Sequence, residues 1–319
     1  MSRKIIYGFI LLMVVTISCN VTNTSTEGAF EVRGTEGLSI KLRDDNIPDK
    51  IVVDKDRPIK FVLELANKGG YDSEIANLNT LTFAYYLSGF DRSIIANLDH
   101  NKFVQDKYLE KISEFNPKGG SDIMELEGAI LYDSILEGTY KPKINFNFCY
   151  EYLTRVSVPV CIDPDIYDDT RSKKVCQVKA VNLDSQGAPI AVKSVVPEVF
   201  SDSMLFRIKI QNVGGGQVVD VTGNNVLKCA NAINTFKTKD FGLVRKEVFQ
   251  ISGKSLECTP LIGGNKIRLH NGVGEIECRI KLSELTTGGD SFLTPLELNL
   301  GYTYRQTFDK QLNIVKVPK

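Results

Sequence analysis

The stretch FRIKIQNVGGG, residues 206–216, repeats a pattern already written at residues 61–71 as FVLELANKGGY. In each, apolar and polar side chains alternate, and the run ends in asparagine, one further residue and two glycines. Alternation at period two puts every second side chain on one face, the signature of a half-buried strand. The same period recurs at Ile144, Phe146 and Phe148, and at Leu296, Leu298 and Leu300. Glycine-rich turn signals punctuate these runs at residues 116–120, 263–265 and 270–274. The chain is therefore expected to be all-β. The one stretch with helical spacing is 99–115, where Val104, Tyr108 and Ile112 would share a helix face.

The two halves can be laid on each other. Phe61, Asn67, Gly69 and Gly70 match Phe206, Asn212, Gly214 and Gly215 at a constant offset of 145. Residues 141–162 then lie over 293–314 at an offset of 152 without a gap, placing Asn147, Tyr150, Tyr152 and Ile162 on Asn299, Tyr302, Tyr304 and Ile314. Seven extra residues in the second copy account for the change of offset. This reads as a tandem repeat of one β domain: a targeting segment 1–19, a polar tether 20–37, a first sandwich 38–163, an acidic linker 164–174 and a second sandwich 175–319. Each sandwich is expected to bury its own core. After each strand, Asn67 with Gly69 and Gly70, and Asn212 with Gly214 and Gly215, are expected to supply positive φ and a sharp exit from the sheet.

A strand ending in Asn-x-Gly, followed by a sandwich that closes with an aromatic alternating strand, resembles the cell-adhesion-related (CARDB-like) and other immunoglobulin-like domains of secreted bacterial and archaeal proteins. The resemblance covers residues 38–163 and 176–317. It implies tandem immunoglobulin-like antiparallel β-sandwiches of seven or so strands each, with a surface-exposed, non-catalytic role.

The N-terminus begins with Arg3 and Lys4, followed by a mostly apolar run from Ile5 to Ile17, short for a membrane span and right for a signal-peptide core. Export is the expectation. The residues before Cys19 resemble a lipobox, which makes Cys19 the candidate lipidation site, although Thr16 stands where leucine is usual; plain secretion and an uncleaved anchor are the alternatives. Asn20 and Asn23 head glycosylation sequons in the tether.

The remaining six cysteines are Cys149, Cys161, Cys176, Cys229, Cys258 and Cys278. An even number in an exported chain favours disulfides over metal ligation. A hairpin turning near residues 154–156 would pair Cys149 with Cys161, a similar turn would pair Cys258 with Cys278, and Cys176 with Cys229 remains by elimination. A Cys161–Cys176 bridge across the linker is the competing arrangement.

Chemistry is sparse. The two histidines, His100 and His270, lie far apart, and neither a nucleophile elbow nor a P-loop is present. Glu125 with Glu127, and Glu275 with Glu277, share strand faces in a way that would suit glycoside chemistry, but exposed strands commonly carry such pairs. Asp163, Asp165, Asp168 and Asp169 in the linker are candidate Ca²⁺ ligands, without the spacing or central glycine of an EF-hand; a solvated acidic linker is the plainer reading. No other cofactor is indicated.

Net charge is zero, yet residues 27–170 carry 26 acids and 16 bases, net −10, while 171–319 carry 13 acids and 21 bases, net +8. Basic residues are not interleaved with aromatics in blocks, which argues against nucleic acid. Two classes of function remain beside the enzyme reading. One is a non-catalytic surface module that binds a cell-surface protein or glycan and meets the membrane only through its N-terminal anchor. The other is a structural subunit that assembles head to tail through its acidic and basic halves.

Overall fold

The computed structural model of the protein describes residues 32–71, 83–104, 107–136, 138–165, 174–221, 226–231, 236–285 and 290–318. The candidate residues Cys19, Asn20, Asn23, Asp168 and Asp169 lie outside them.

The protein is all-β. The first repeat runs β1 (Leu38–Leu42), β2 (Ile51–Val53), β3 (Arg57–Asn67), β4 (Phe83–Ser88), β5 (Ile95–Ala96), β6 (Asn101–Val104), β7 (Ser121–Ile130), β8 (Thr139–Tyr140) and β9 (Lys143–Ile162). The second begins with β10 (Val181–Asn182), β11 (Ile190–Val199), β12 (Ser203–Asn212), β13 (Gln217–Val219) and helix α1 (Val226–Asn231). It continues with β14 (Leu243–Ile251), β15 (Lys254–Ser255), β16 (Glu257–Thr259), β17 (Lys266–Arg268), β18 (Val273–Lys281), a short helix α2 (Leu282–Leu285), β19 (Phe292–Gln311) and β20 (Ile314–Lys316).

One sheet carries both repeats. Its order is β15-β14-β19-β9-β4-β6, and at its centre β9 and β19 pair antiparallel along their whole length, from Lys143↔Gln311 to Ile162↔Phe292. Glu151 pairs with Thr303, its own counterpart at the offset of 152, so Tyr150 meets Tyr304 and Tyr152 meets Tyr302. The two strands are thus related by a local two-fold through the middle of this ladder. Even-numbered residues of β9 from Ile144 to Val160 are buried, as are Leu296, Leu298, Leu300, Tyr302 and Tyr304 of β19. Two further sheets cover that inner face, ordered β1-β3-β7-β5 and β10-β11-β12-β18-β16. Phe61 of β3 packs edge-on to Phe146 of β9 with centroids 5.5 Å apart, and Thr154 of β9 donates to the Ile190 carbonyl of β11 at 2.6 Å.

These contacts correct the expectation of two separate cores. Apolar burial is continuous from Leu38 to Ile314, and residues 32–319 form one compact unit. The reason is strand length. A 20-residue strand spans roughly 65 Å at about 3.3 Å per residue, too long for one sandwich, so the C-terminal half of each closing strand runs into the other repeat. At Phe308 of β19 the ring stacks on Phe146 and Phe148 of the first repeat, at 5.0 and 5.8 Å. Beyond it, β20 pairs parallel with β2 and antiparallel with β8.

The helix expected over 99–115 is not formed: Asn101–Val104 is strand β6, paired with β4, and residues 107–113 are not helical. Pairing with a neighbouring strand overrides a marginal helical pattern. Helix α1 lies instead on the outer face of the central sheet, where Val226, Cys229 and Ala230 bury Ala84, Cys149 and Val219.

The disulfides are Cys149–Cys229, Cys161–Cys176 and Cys258–Cys278. The last agrees with the sequence reading. The hairpin that would have joined Cys149 to Cys161 does not exist, because both lie on the unbroken β9, and the Cys176–Cys229 pairing falls with it. Cys149–Cys229 instead staples the second repeat's helix to the first repeat's closing strand, and Cys161–Cys176 closes the linker. Three disulfides point to an oxidising, extracellular type of environment.

Peptide mapping without reduction should recover these three linkages. Replacing both Cys149 and Cys229 by alanine should lower stability by about 2–4 kcal/mol, since the bridge closes a loop of sequence separation 80. The loss should register as a lower midpoint in chemical denaturation.

Candidate functional site

The duplicated asparagines and tyrosines meet. Tyr152 Oη donates to Asn67 Oδ1 at 3.1 Å, Asn67 Oδ1 also accepts from Gly69 N at 3.2 Å, and Asn67 Nδ2 donates to the Tyr71 carbonyl at 2.8 Å. In the second repeat, Tyr304 Oη donates to Asn212 Oδ1 at 2.9 Å, Gly214 N donates to the same oxygen at 3.2 Å, and Asn212 Nδ2 donates to the Gly216 carbonyl at 2.9 Å. Each tyrosine hydroxyl also accepts a backbone N–H, from Tyr71 at 3.3 Å and from Gly216 at 2.8 Å. The lock fixes the chain as it leaves β3 or β12 against the closing strand.

The glycines serve this lock differently from expectation. None of Gly69, Gly70, Gly214 and Gly215 has positive φ. A Cβ on Gly69 would collide with the Tyr152 hydroxyl, and one on Gly214 with the Tyr304 hydroxyl, whereas a Cβ on Gly215 would meet nothing within 4 Å. Close approach, not backbone handedness, requires the first glycine of each pair.

Between the locks, Tyr150, Tyr152, Tyr302 and Tyr304 form a closed box with neighbouring centroids 5.8–6.3 Å apart. Tyr302 Oη bonds Thr154 Oγ1 at 3.0 Å. Its counterpart Tyr150 lies against the Leu38 backbone and has no side-chain partner among the described residues, with Gln306 standing where the equivalent of Thr154 would be. Burial pushes the phenols of Tyr150 and Tyr302 far above the ordinary range, and that of Tyr304 upward as well. These phenols stay neutral and structural at any physiological pH.

Three of the four strand carboxylates raised by the sequence are ion-paired. Glu125 and Glu127 both bind Lys60, at 2.7 and 2.9 Å, and Glu277 binds Arg207 at 3.0 Å. In the linker, Asp163 is buried and paired with Lys174 at 2.8 Å, while Lys174 also donates to the Asp165 carbonyl at 2.7 Å. An ammonium therefore lies where those two residues would have met a cation, and no group of three or more metal-ligating side chains comes together among the described residues. His100 is a neighbour of the Tyr86 ring, 6.2 Å between centroids.

His270 lies elsewhere, at the mouth of an open cavity of about 570 Å³ in the second repeat. Asn212, Gly272, Thr238, Lys239 and Arg268 also line it, with Val218, Phe241 and Leu269 as its apolar floor. Arg268 is held by two main-chain carbonyls, donating through Nη1 to Phe241 and through Nη2 to Lys239 at 2.9 Å. Lys239 and Arg268 are cationic, and none of the described lining residues is acidic. Sequence reading recorded residues 270–274 only as a turn. The cavity depends on the segment 238–242 folding over that turn, which no local pattern announces.

Comparison of the chain with protein-family models gives no match. A search among curated proteins gives none either.

Alanine at Gly214 should cost about 1–3 kcal/mol through overpacking, and alanine at Gly215 should stay within about 0.5 kcal/mol of the parent. Tyr304→Phe should cost about 1–2 kcal/mol through its lost bonds, while Tyr150→Phe should be neutral or stabilising. Equal effects in either pair would contradict the lock. Because the buried phenols hold their protons more tightly folded than unfolded, their contribution is complete below the unfolded value of 10.0 and is lost as pH rises beyond it. Denaturation midpoints should therefore fall steeply above that pH, together with the rise of tyrosinate absorbance.

Proposed function

We propose that this protein is an exported, cell-surface, non-catalytic binding or adhesion module made of two immunoglobulin-like repeats. The observation that carries this reading is a stapled double repeat that presents an open, cationic cavity. All six cysteines among the described residues are used in disulfides, which suits a protein working outside the cell. The local two-fold and the shared sheet support a stiff body that holds its outer loops at fixed positions. The apolar N-terminal run and Cys19 supply the anchor in this reading, and Ca²⁺ has at most a supporting place at the linker. No helix among the described residues is long and apolar enough to cross a membrane.

The charge split between the halves supports a second reading, a subunit that assembles head to tail. Some of that charge is met within the molecule, as in Lys310 with Asp44 at 2.9 Å, which leaves less for contact between copies.

Protease shaving of intact host cells should release peptides of residues 32–319, and intact-mass analysis should find a mature chain starting at Cys19 and carrying lipid. Recovery from the cytosol with the N-terminal run intact would defeat the surface reading. Light scattering should give the mass of one chain at low and high salt; particles that grow with concentration and shrink with salt would favour the assembling subunit.

A further inference from the structure

The internal duplication shows what the second repeat's cavity is shaped to hold. Between β6 and β7 the first repeat has sixteen residues, 105–120, while between β17 and β18 the second has four, 269–272. The frame on either side is the same. Asn67 N donates to the Gly120 carbonyl at 2.9 Å, and Asn212 N donates to the Gly272 carbonyl at 2.7 Å.

In the first repeat the longer connection crosses the Asn67 lock. Asn67 Nδ2 donates to the Leu109 carbonyl at 3.0 Å, Gly120 N to the Glu110 carbonyl at 2.7 Å, and Ile112 N to the Gly69 carbonyl at 2.9 Å. Asn67 and Leu109 are fully buried as a result. In the second repeat the counterparts of these three groups are the second amide hydrogen of Asn212, Gly272 N and the Gly214 carbonyl. None of the three bonds a described group at that side, and Asn212 is only half buried. Asn212 and Gly272 line the 570 Å³ cavity.

From this we infer that the cavity is a docking site for an extended segment of a partner polypeptide. The segment lies across Asn212 as residues 107–113 lie across Asn67. A peptide carbonyl accepts from Asn212 Nδ2, a second accepts from Gly272 N, and a peptide N–H donates to the Gly214 carbonyl. This is main-chain recognition of the kind that adds a strand to a sheet. Lys239 and Arg268, with no acid among the described lining residues, select a segment that carries carboxylates. The inference rests on the binding-module reading and gives that module its ligand class.

The test uses the full chain and fluorescence anisotropy with two blocked peptides. One has the sequence of residues 107–113, KYLEKIS; the other carries Lys107→Glu and Lys111→Glu. Both should bind saturably, the glutamate peptide more tightly by about fivefold at low salt. Thr238→Trp, which fills the cavity, and Lys239→Glu should each weaken the glutamate peptide at least about tenfold with an unchanged melting temperature. N-methylation of the peptide isoleucine, which removes the N–H expected to reach Gly214, should do the same. No saturable binding at about 1 mM peptide, indifference to the cavity variants, or indifference to N-methylation would each overturn the site. Binding of acidic oligosaccharides that the cavity variants abolish, with no peptide binding, would overturn the occupant. A chain found on the cell surface that ignores both peptides removes this inference alone, whereas a chain that binds them but stays in the cytosol removes only the surface reading.

Discussion

The ladder between β9 and β19 organises the rest of the molecule. Two copies of the same closing strand pair antiparallel about Glu151 and Thr303, positions that are each other's equivalents. That symmetry decides where everything else goes. It brings the four tyrosines face to face, sends the second half of each strand into the other repeat, and turns two potential cores into one. Neither repeat keeps a complete inner layer without the other's strand. Fully burying an aromatic or aliphatic side chain contributes about 1.5–3 kcal/mol, and along this ladder the buried side chains of one repeat pack against the other repeat.

The Asn–Tyr locks are the second level. A buried polar pair costs free energy unless its hydrogen bonds are made, and both copies make them with the same atoms. The copies differ in what surrounds the locks. Cys149 carries a disulfide on the outer face, where its counterpart Gly301 lies beneath the Arg245–Glu247 ion pair. Thr154 satisfies one inner phenol, and the other, with Gln306 at the equivalent place, has no side-chain partner among the described residues. A long connection covers Asn67 and a short one exposes Asn212. Duplicated frames with divergent coverings are how one of two equal places becomes open to solvent.

Much of this was legible from residue types and spacing. Alternation gave the strands, and the matched Asn-x-Gly and Tyr-x-Tyr segments marked the two groups that hydrogen-bond to each other, although the spacing did not reveal that contact. Less was legible where a partner decides. The Thr154–Val156 region reads as a turn because TFDK stands in the same place of the second copy, yet both segments are mid-strand. A partner of equal length satisfies every main-chain group there, so a bend would forfeit hydrogen bonds. Residues 99–115 read as a helix because their apolar spacing is ambiguous, and pairing with β4 resolves it toward strand.

By itself the sequence determined the all-β class and the use of cysteines in disulfides. These follow from periodicity and composition, which are local properties of the chain. Tertiary structure alone decided that both halves share one core, that Cys149 meets Cys229, that the glycines yield space to tyrosine hydroxyls, and that a cavity opens beside Asn212. Each of those depends on which distant segment arrives at a given surface, and two strands of equal pattern can meet in more than one register until the whole inner face is buried.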